Sequence, residues 1–243
     1  MADESMVSAK NVTVKYDKNV ILDNVSIDIK KGGMIGFLGP SGAGKTTLIK
    51  AMIGMKEAAG SVYIDGEAMP SLSVTSQIGY MAQQDALYED LTGLDNVLFF
   101  EALYGLRGKE AKSRAAEVLE LVNLSGDAKK RVKYYSGGMR RRLSLAVALA
   151  HKPKLLFLDE PTVGIDPVLK KVFWEEFHRL KEEGATIVIT THVMDEAYRC
   201  DRLALIRDGG IIADGTPVEL MVRAGAQSLE EAFLFYSGEG RKE

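Results

Sequence analysis

The sequence predicts an α/β fold: a mostly parallel core sheet, an antiparallel β subdomain and an inserted α-helical subdomain. Three observations carry that expectation. Met34 to Leu38, Leu155 to Leu158 and Thr186 to Thr191 are short runs of the kind that form strands buried on both faces, as parallel strands are. Val7 to Val14 and Val25 to Ile29 instead alternate apolar and polar residues, as half-buried strands do. Between Asp95 and Leu124 the strand signal fades, and Ala115, Val118, Leu119 and Val122 recur at i, i+3, i+4 and i+7, one face of a helix.

Composition leaves room for this. At 243 residues with 46% hydrophobic side chains, the chain supports one large domain or one domain with an insertion. A formal net charge of −3 argues against a nucleic-acid binder working through bulk electrostatics. The single cysteine, Cys200, forms no intramolecular disulfide, which suits a reducing compartment. Met1-Ala2-Asp3-Glu4 is acidic where a secretory signal is basic, and no stretch approaches the ~18 uninterrupted apolar residues of a membrane span. A soluble protein is expected.

The most specific stretch is Gly39-Pro40-Ser41-Gly42-Ala43-Gly44-Lys45-Thr46, which fits Gly-x4-Gly-Lys-Thr between a strand, Met34 to Leu38, and a helix, Thr47 to Ile53. Its glycines let backbone N–H groups turn inward on a phosphate chain where Cβ atoms would block the approach. The following helix directs its positive end at the same phosphates. Lys45 is placed to reach the β- and γ-phosphates, and the Thr46 hydroxyl to ligate Mg²⁺. A nucleoside triphosphate is the expected ligand, and the fold that of a P-loop NTPase.

Other features gain meaning from that loop. Tyr16 stands in a polar turn, Lys15-Tyr16-Asp17-Lys18-Asn19, either as an amphipathic surface residue or as a ring on which adenine stacks. Ser61 to Ile64 reads as a strand closed by Asp65-Gly66, and Ile78 to Met81 as another, followed by the polar tripeptide Gln83-Gln84-Asp85. Asp95 to Tyr104 and Glu110 to Leu124 read as helices, with Phe99, Phe100 and Tyr104 expected in the core. Tyr134-Tyr135-Ser136-Gly137-Gly138 precedes a helix with the stripe Leu143, Ala146, Val147 and Ala150. Its exposed N–H groups make a second potential anion site, although Ser and Gly also serve as plain N-caps. Arg140, Arg141 and Arg142 then fall in the first turn, where the helix dipole disfavours cations, and are expected to form a solvated basic face.

Leu155 to Leu158 ends in Asp159-Glu160, delivering two carboxylates to the edge where open α/β sheets bind ligands. Pro161 to Pro167 is a loop, and the helix after it carries Leu169, Val172, Phe173, Phe177 and Leu180 on one face, with His178 at the surface. His192 directly follows the buried strand Thr186 to Thr191, which makes it a site candidate. Leu203 to Ile206 and Ile211 to Ala213 form a hairpin about Asp208-Gly209-Gly210. Ser228 to Tyr236 is a final helix and Gly238 to Glu243 a tail.

From about Val7 to Ala213, these motifs in this order resemble the nucleotide-binding subunits of ATP-binding cassette (ABC) transporters. Gly39 to Thr46 looks like the family's phosphate loop, continued by Thr47, and Tyr16 falls at the adenine-stacking aromatic. Gln83 is similar to the glutamine that touches Mg²⁺ and the attacking water. Tyr135-Ser136-Gly137-Gly138-Met139 resembles the signature Leu-Ser-Gly-Gly-Gln, departing at both ends. Leu155 to Asp159 plus Glu160 looks like the Mg²⁺ strand and catalytic glutamate. Gly164-Ile165-Asp166 resembles the loop crossing the dimer interface, and His192 the switch histidine. The run Tyr-Ser-Gly-Gly-Met-Arg-Arg-Arg, with Thr-His-Val-Met-Asp-Glu-Ala and Ser-Leu-Glu-Glu-Ala-Phe, is similar to bacterial exporters of drugs, lipids or polysaccharides of the daunorubicin-resistance kind.

The resemblance implies a single cassette domain, 1–243: an α/β core with β subdomain at about 6–90 and 151–215, a helical subdomain at about 91–150, and C-terminal helices and tail at about 216–243. It implies ATP and Mg²⁺ as cofactors, with Thr46, Gln83 and Asp159 on the metal and Glu160, Gln83 and His192 around the reacting phosphate and water. It further implies a head-to-tail dimer in which Ser136-Gly137-Gly138 closes on the other subunit's ATP. The expected partner is a membrane-spanning permease, with the protein cytoplasmic and peripheral on the inner face of the membrane. A soluble cassette ATPase of translation or chromosome maintenance fits less well, since neither a second cassette nor a long coiled-coil insertion is present. A nucleotide-sensing module without turnover would lack Glu160 or His192.

Overall fold

The structure, a computed structural model, describes residues 5–239; Met1–Glu4 and positions 240–243 of the expected tail lie outside the described residues. The chain runs β1 (Ser5–Tyr16), β2 (Asn19–Lys30), β3 (Met34–Leu38), α1 (Lys45–Met52), β4 (Ala59–Ile64), β5 (Glu67–Ala68) and the short α2 (Leu72–Thr75). It continues through β6 (Ile78–Met81), α3 (Gly93–Leu103), α4 (Gly108–Leu121), α5 (Gly137–Leu149), β7 (Leu155–Asp159) and α6 (Pro167–Glu182). It closes with β8 (Thr186–Thr191), α7 (Met194–Ala197), β9 (Arg202–Arg207), β10 (Gly210–Gly215), α8 (Pro217–Ala224) and α9 (Leu229–Tyr236). Two compact units result: Ser76–Ala185, and the flanking stretches up to Thr75 and from Thr186.

In the flanking unit, β3 is hydrogen-bonded in parallel to β8 on one side and to β9 on the other, and β10 adds antiparallel to β9. Every residue of β3 and β8 is buried, as their apolar runs require. A second, antiparallel sheet has the order β2-β1-β4-β5. The alternation expected from Val7 to Val14 is interrupted: Lys10 and Asn11 are both exposed, and the register shifts between Ala9 and Val12. Asn11 takes the left-handed φ of 53°, and the Ser26 hydroxyl accepts its N–H at 2.9 Å, so a bulge carries the extra residue. The helix α8 has Pro217 in its first turn and a Thr216–Glu219 capping box, and it stops at Gly225 with φ 62°.

In the unit Ser76–Ala185, β6 and β7 pair in parallel. Ala115, Val118, Leu119 and Val122 are buried, as their spacing predicts. Arg114 is buried beside them; it donates from Nε to the Ala150 carbonyl (3.0 Å) and from Nη2 to that of Leu149 (2.7 Å), capping the end of α5 with a cation. The aromatic residues of α3 depart from expectation. Phe99 is exposed and Phe100 half-buried, packed edge-to-face at 5.4 Å, with Tyr88 edge-on to Phe99 at 4.7 Å. Tyr104, also half-buried, stacks on His151 at 3.6 Å. The inward side of α3 is taken by Val97, by Glu101, and by Asn96, whose amide bonds Thr92 and Tyr88 and so ties the helix to the segment before it.

Glu101 is fully buried, and neither carboxyl oxygen has a hydrogen-bond partner. Burial pushes its pKa up to about 7, against a smaller downward pull from Arg114. The folded state therefore holds this proton more tightly than the unfolded one. The stability it adds is complete below the unfolded value of 4.5 and is lost as the pH rises through about 7. Glu101→Gln, which fixes the neutral form, is expected to exceed the parent in stability by about 2 kcal/mol near pH 8. The gap should close as the pH falls towards about 4.5, as urea titrations across that range will show.

Candidate active site

The strand pairing in each unit decides which candidate residues lie level. In the flanking unit Leu38 of β3 is opposite Thr191 of β8, so the loop Gly39–Thr46 and His192 both leave the carboxyl edge of the sheet. The Gly39 N–H donates to the Thr191 carbonyl at 3.4 Å. On the other side of β3, a Cβ on Gly39 would run into the Ile206 carbonyl oxygen of β9. Gly42 and Gly44 have φ of 83° and 103°, a region that side chains with a Cβ rarely enter.

Lys45 opens α1 and is only 5% exposed; its Nζ donates to the carbonyls of Gly39 (2.6 Å) and Pro40 (2.9 Å), so the ammonium lies inside the curl of the loop. Pro40, Ser41 and Gly42 form the exposed crest, Ala43 is buried, and Thr46 and Thr47 are half-buried in the first turn. There the helix dipole favours an anion. Tyr16 ends β1 with its ring 45% exposed, and the Lys56 ammonium stands 3.7 Å from the ring centroid, a cation–π contact. His192 is exposed, and beyond it the Thr191 hydroxyl accepts from Val193 N–H (3.0 Å) and donates to Glu196 (2.8 Å), turning the chain into α7.

In the other unit Met81 of β6 is opposite Leu158 of β7, so Gln83 and Glu160, each two residues further on, leave the same edge. Asp159 is 1% exposed, the last residue of a wholly buried strand, and Glu160 takes a left-handed φ of 52°. Ser136 caps α5 by accepting from the Met139 N–H at 3.2 Å, and Gly137 is exposed at the helix start. A Cβ on Gly138 would stand 3.4 Å from the Gly164 carbonyl, so this glycine packs against the loop Gly164-Ile165-Asp166. Tyr135 is buried and its hydroxyl donates to the Asp127 carbonyl at 2.8 Å, which accounts for the tyrosine at that place in the motif.

Of the three arginines after Met139, Arg140 and Arg142 are half-buried and Arg141 is buried, so the triplet is not one solvated face. Arg140 bonds Glu89 at 2.7 Å, and Arg142 donates to the carbonyls of Val122 (3.1 Å) and Asn123 (2.8 Å). Arg141 is buried and donates to four main-chain carbonyls: Ala82, Gln83, Asp159 and Glu160. Burial draws its pKa down, opposed by Asp85, Asp159, Glu160 and Tyr80. The Tyr80 hydroxyl, buried without a partner, is pushed up to about 12 by burial and by Asp159. Protein acceptors at the Nη atoms replace the water that the dipole argument assigned to these cations. The signal was available: at ~100° per residue three consecutive side chains fan over ~200°, so one of the three had to face inward.

These arrangements accord with what known proteins show. The ABC transporter family profile matches residues 22–163, more than half of the chain. The chain belongs to the ABC transporter family. Over 241 residues the cassette is 41% identical to the linearmycin resistance ATP-binding protein LnrL of Bacillus subtilis (strain 168), covering 94% of this chain and 78% of that protein. It is 40% identical to the Nod factor export ATP-binding protein I of Burkholderia orbicola (strain AU 1054), covering 88% and 72%. It superposes with a TM-score of 0.80 and 31% identity on a dimeric, post-hydrolysis structure of the ATP-binding cassette MJ0796 bound to ADP and Pi, covering 87% of this chain and 98% of that one. The cassette is thus an ATP hydrolase of the P-loop fold. Among the described residues no helix is long and apolar enough to cross a membrane.

Gly39→Ala tests the packing of the loop. Its methyl meets backbone rather than a movable side chain, so a loss of about 1–3 kcal/mol is expected in urea unfolding, as for other overpacked sites.

Proposed function

We propose that this cassette powers export of a solute through a separate membrane-spanning permease, as a single domain, 1–243, with a helical subdomain near 91–150, acting in ATP-dependent head-to-tail pairs. The observation that carries the catalytic part is the level placement of Gln83 and Glu160 beyond paired residues of β6 and β7, directly after the buried Asp159. The export part is supported by the names of the relatives, one for resistance and one for export.

In this reading the loop Gly39 to Thr47, with backbone amides of its crest and of the first turn of α1, and the Lys45 ammonium hold the phosphates, and adenine stacks on Tyr16 in competition with Lys56. Thr46, Asp159 and Gln83 offer hard oxygen donors, a carboxylate, a hydroxyl and an amide, of the kind Mg²⁺ takes beside phosphate oxygens. When bound, Mg²⁺ offsets negative charge on those phosphates. Glu160 accepts a proton from water as the water oxygen bonds to the γ-phosphorus and the bond to the ADP oxygen breaks. His192 and Gln83 orient the γ-phosphate and that water. Ser136, Gly137 and Gly138 present N–H groups to the ATP of the second subunit, so nucleotide is part of the contact that joins the pair. The solvent-facing cluster Tyr88, Phe99 and Phe100 is an apolar surface suited to a permease segment, which would hold the protein at the cytoplasmic face of the membrane.

Glu160→Gln is expected to keep ATP binding, to lower hydrolysis by about 10²–10⁴-fold and to sediment as a dimer with ATP. Near-normal turnover would remove Glu160 from the role, and single subunits at saturating ATP, with no membrane component able to pair them, would remove the dimer. For the permease surface, Phe99→Glu should abolish co-purification with the detergent-solubilised membrane fraction while nucleotide affinity in solution stays unchanged. Continued membrane capture would exclude that surface.

A further inference from the structure

Arg141 makes contacts that its place in a helical first turn does not explain. Its Nη1 donates to the carbonyls of Ala82 (2.6 Å) and Gln83 (3.0 Å), and its Nη2 to those of Asp159 and of Glu160 (2.8 Å). The Asp85 carboxylate stands 3.9 Å from Nη1 and also accepts from the Ser144 hydroxyl at 2.7 Å, one turn along α5. The side chain is 9% exposed. Burying a guanidinium is costly unless acceptors replace its water; here both Nη atoms have them, while Nε is buried without a partner.

All four carbonyls belong to the main chain, so the tie is to backbone position and not to the identity of any side chain. The Asp159 and Glu160 carbonyls flank the φ and ψ of Glu160. One guanidinium nitrogen gripping both fixes both torsions of that residue. Glu160 is the residue that needs this: its φ of 52° lies in the left-handed region, which a residue with a Cβ keeps only where the surroundings over-determine it. The other nitrogen does the same for the segment leaving β6 towards Gln83. Both segments are thereby fastened to α5, the helix that begins at Gly137.

We propose that Arg141 is a positioning residue for hydrolysis. It sets the backbone from which Glu160 and Gln83 act and couples that backbone to the Ser136-Gly137-Gly138 end of α5. A displacement of α5 as this end closes on a second subunit's ATP is then felt directly at the same subunit's Glu160. The proposal rests on the reading of Glu160 as the proton acceptor.

The test uses the full chain and the variants Arg141→Lys and Arg141→Gln. Lysine keeps the charge but gathers its donors on one nitrogen, and glutamine keeps a planar amide without the charge; neither spans four carbonyls. Both should lower kcat by about ten-fold or more while KM for ATP stays within about two-fold, since Lys45, the phosphate loop and Tyr16 are not touched. Arg141→Lys should recover more activity than Arg141→Gln. The discriminating measurement is a cycle with Glu160→Gln under single-turnover conditions. If Arg141 acts through Glu160, adding Arg141→Lys to Glu160→Gln should cost less than about two-fold. An equal loss in both backgrounds, a parallel loss of ATP affinity, or a folded Arg141→Lys with parental kcat would overturn the assignment. Absence of ATP turnover in the parent would instead overturn the reading of the site itself.

Discussion

Parallel pairing in register is the constraint on which the arrangement depends. Parallel strands run the same way, so every segment leaving a carboxyl end emerges at one edge, and the register fixes which residues emerge level. Leu38 against Thr191 sets Gly39 beside the residue before His192, and Met81 against Leu158 sets Gln83 level with Glu160. A slip of one residue in β6 would turn its buried side chains to the other face, as the period of two requires, and would break the level pairing. The buried side chains that fix the register therefore also fix the chemistry, although none of them touches it.

Buried charge in the unit Ser76–Ala185 is handled in two contrasting ways. Arg114 and Arg141 both donate to main-chain carbonyls, one at the end of α5 and one near its beginning, and Arg114 also pairs with Glu117, so the helix is anchored at both ends by buried cations. Glu101 has no such arrangement, and burial raises its pKa to about 7, so that it keeps its proton to a higher pH than an exposed carboxyl does. A buried cation can draw most of its acceptors from the backbone, which any fold supplies. A buried carboxylate needs donors, and those of a helix are already in use.

Much of this was legible in the sequence, for identifiable reasons. Gly39 and Gly44 mark positions where a Cβ does not fit, Gly42 one where the backbone is left-handed, and the runs Met34 to Leu38 and Leu155 to Leu158 mark buried strands. The spacing of Ala115, Val118, Leu119 and Val122 gave one face of α4 because its opposite face is polar. Within α3 the apolar residues Leu94, Val97, Leu98, Phe99, Phe100, Ala102 and Leu103 surround the axis, so periodicity cannot say which side turns inward. There Asn96 and Glu101 take interior positions and two phenylalanines are displaced outward, an outcome decided by tertiary contacts. The burial of Arg141 was signalled by helix geometry but overridden by the dipole argument. A rule about exposed helix ends assumes water as the alternative partner, and four carbonyls supply a better one.

The walls of the phosphate loop come from remote parts of the chain. The Ala43 carbonyl accepts from the Gly209 N–H at 3.2 Å, and the Gly209 carbonyl in turn accepts from the Asp23 N–H at 3.0 Å. A Cβ on Gly44 would press on Leu22, and one on Gly39 on Ile206. During synthesis the loop leaves the ribosome long before the β9–β10 turn that packs it. At about 5–20 residues per second that interval lasts roughly ten to thirty seconds. The loop therefore gains this packing only once the β9–β10 turn has been made.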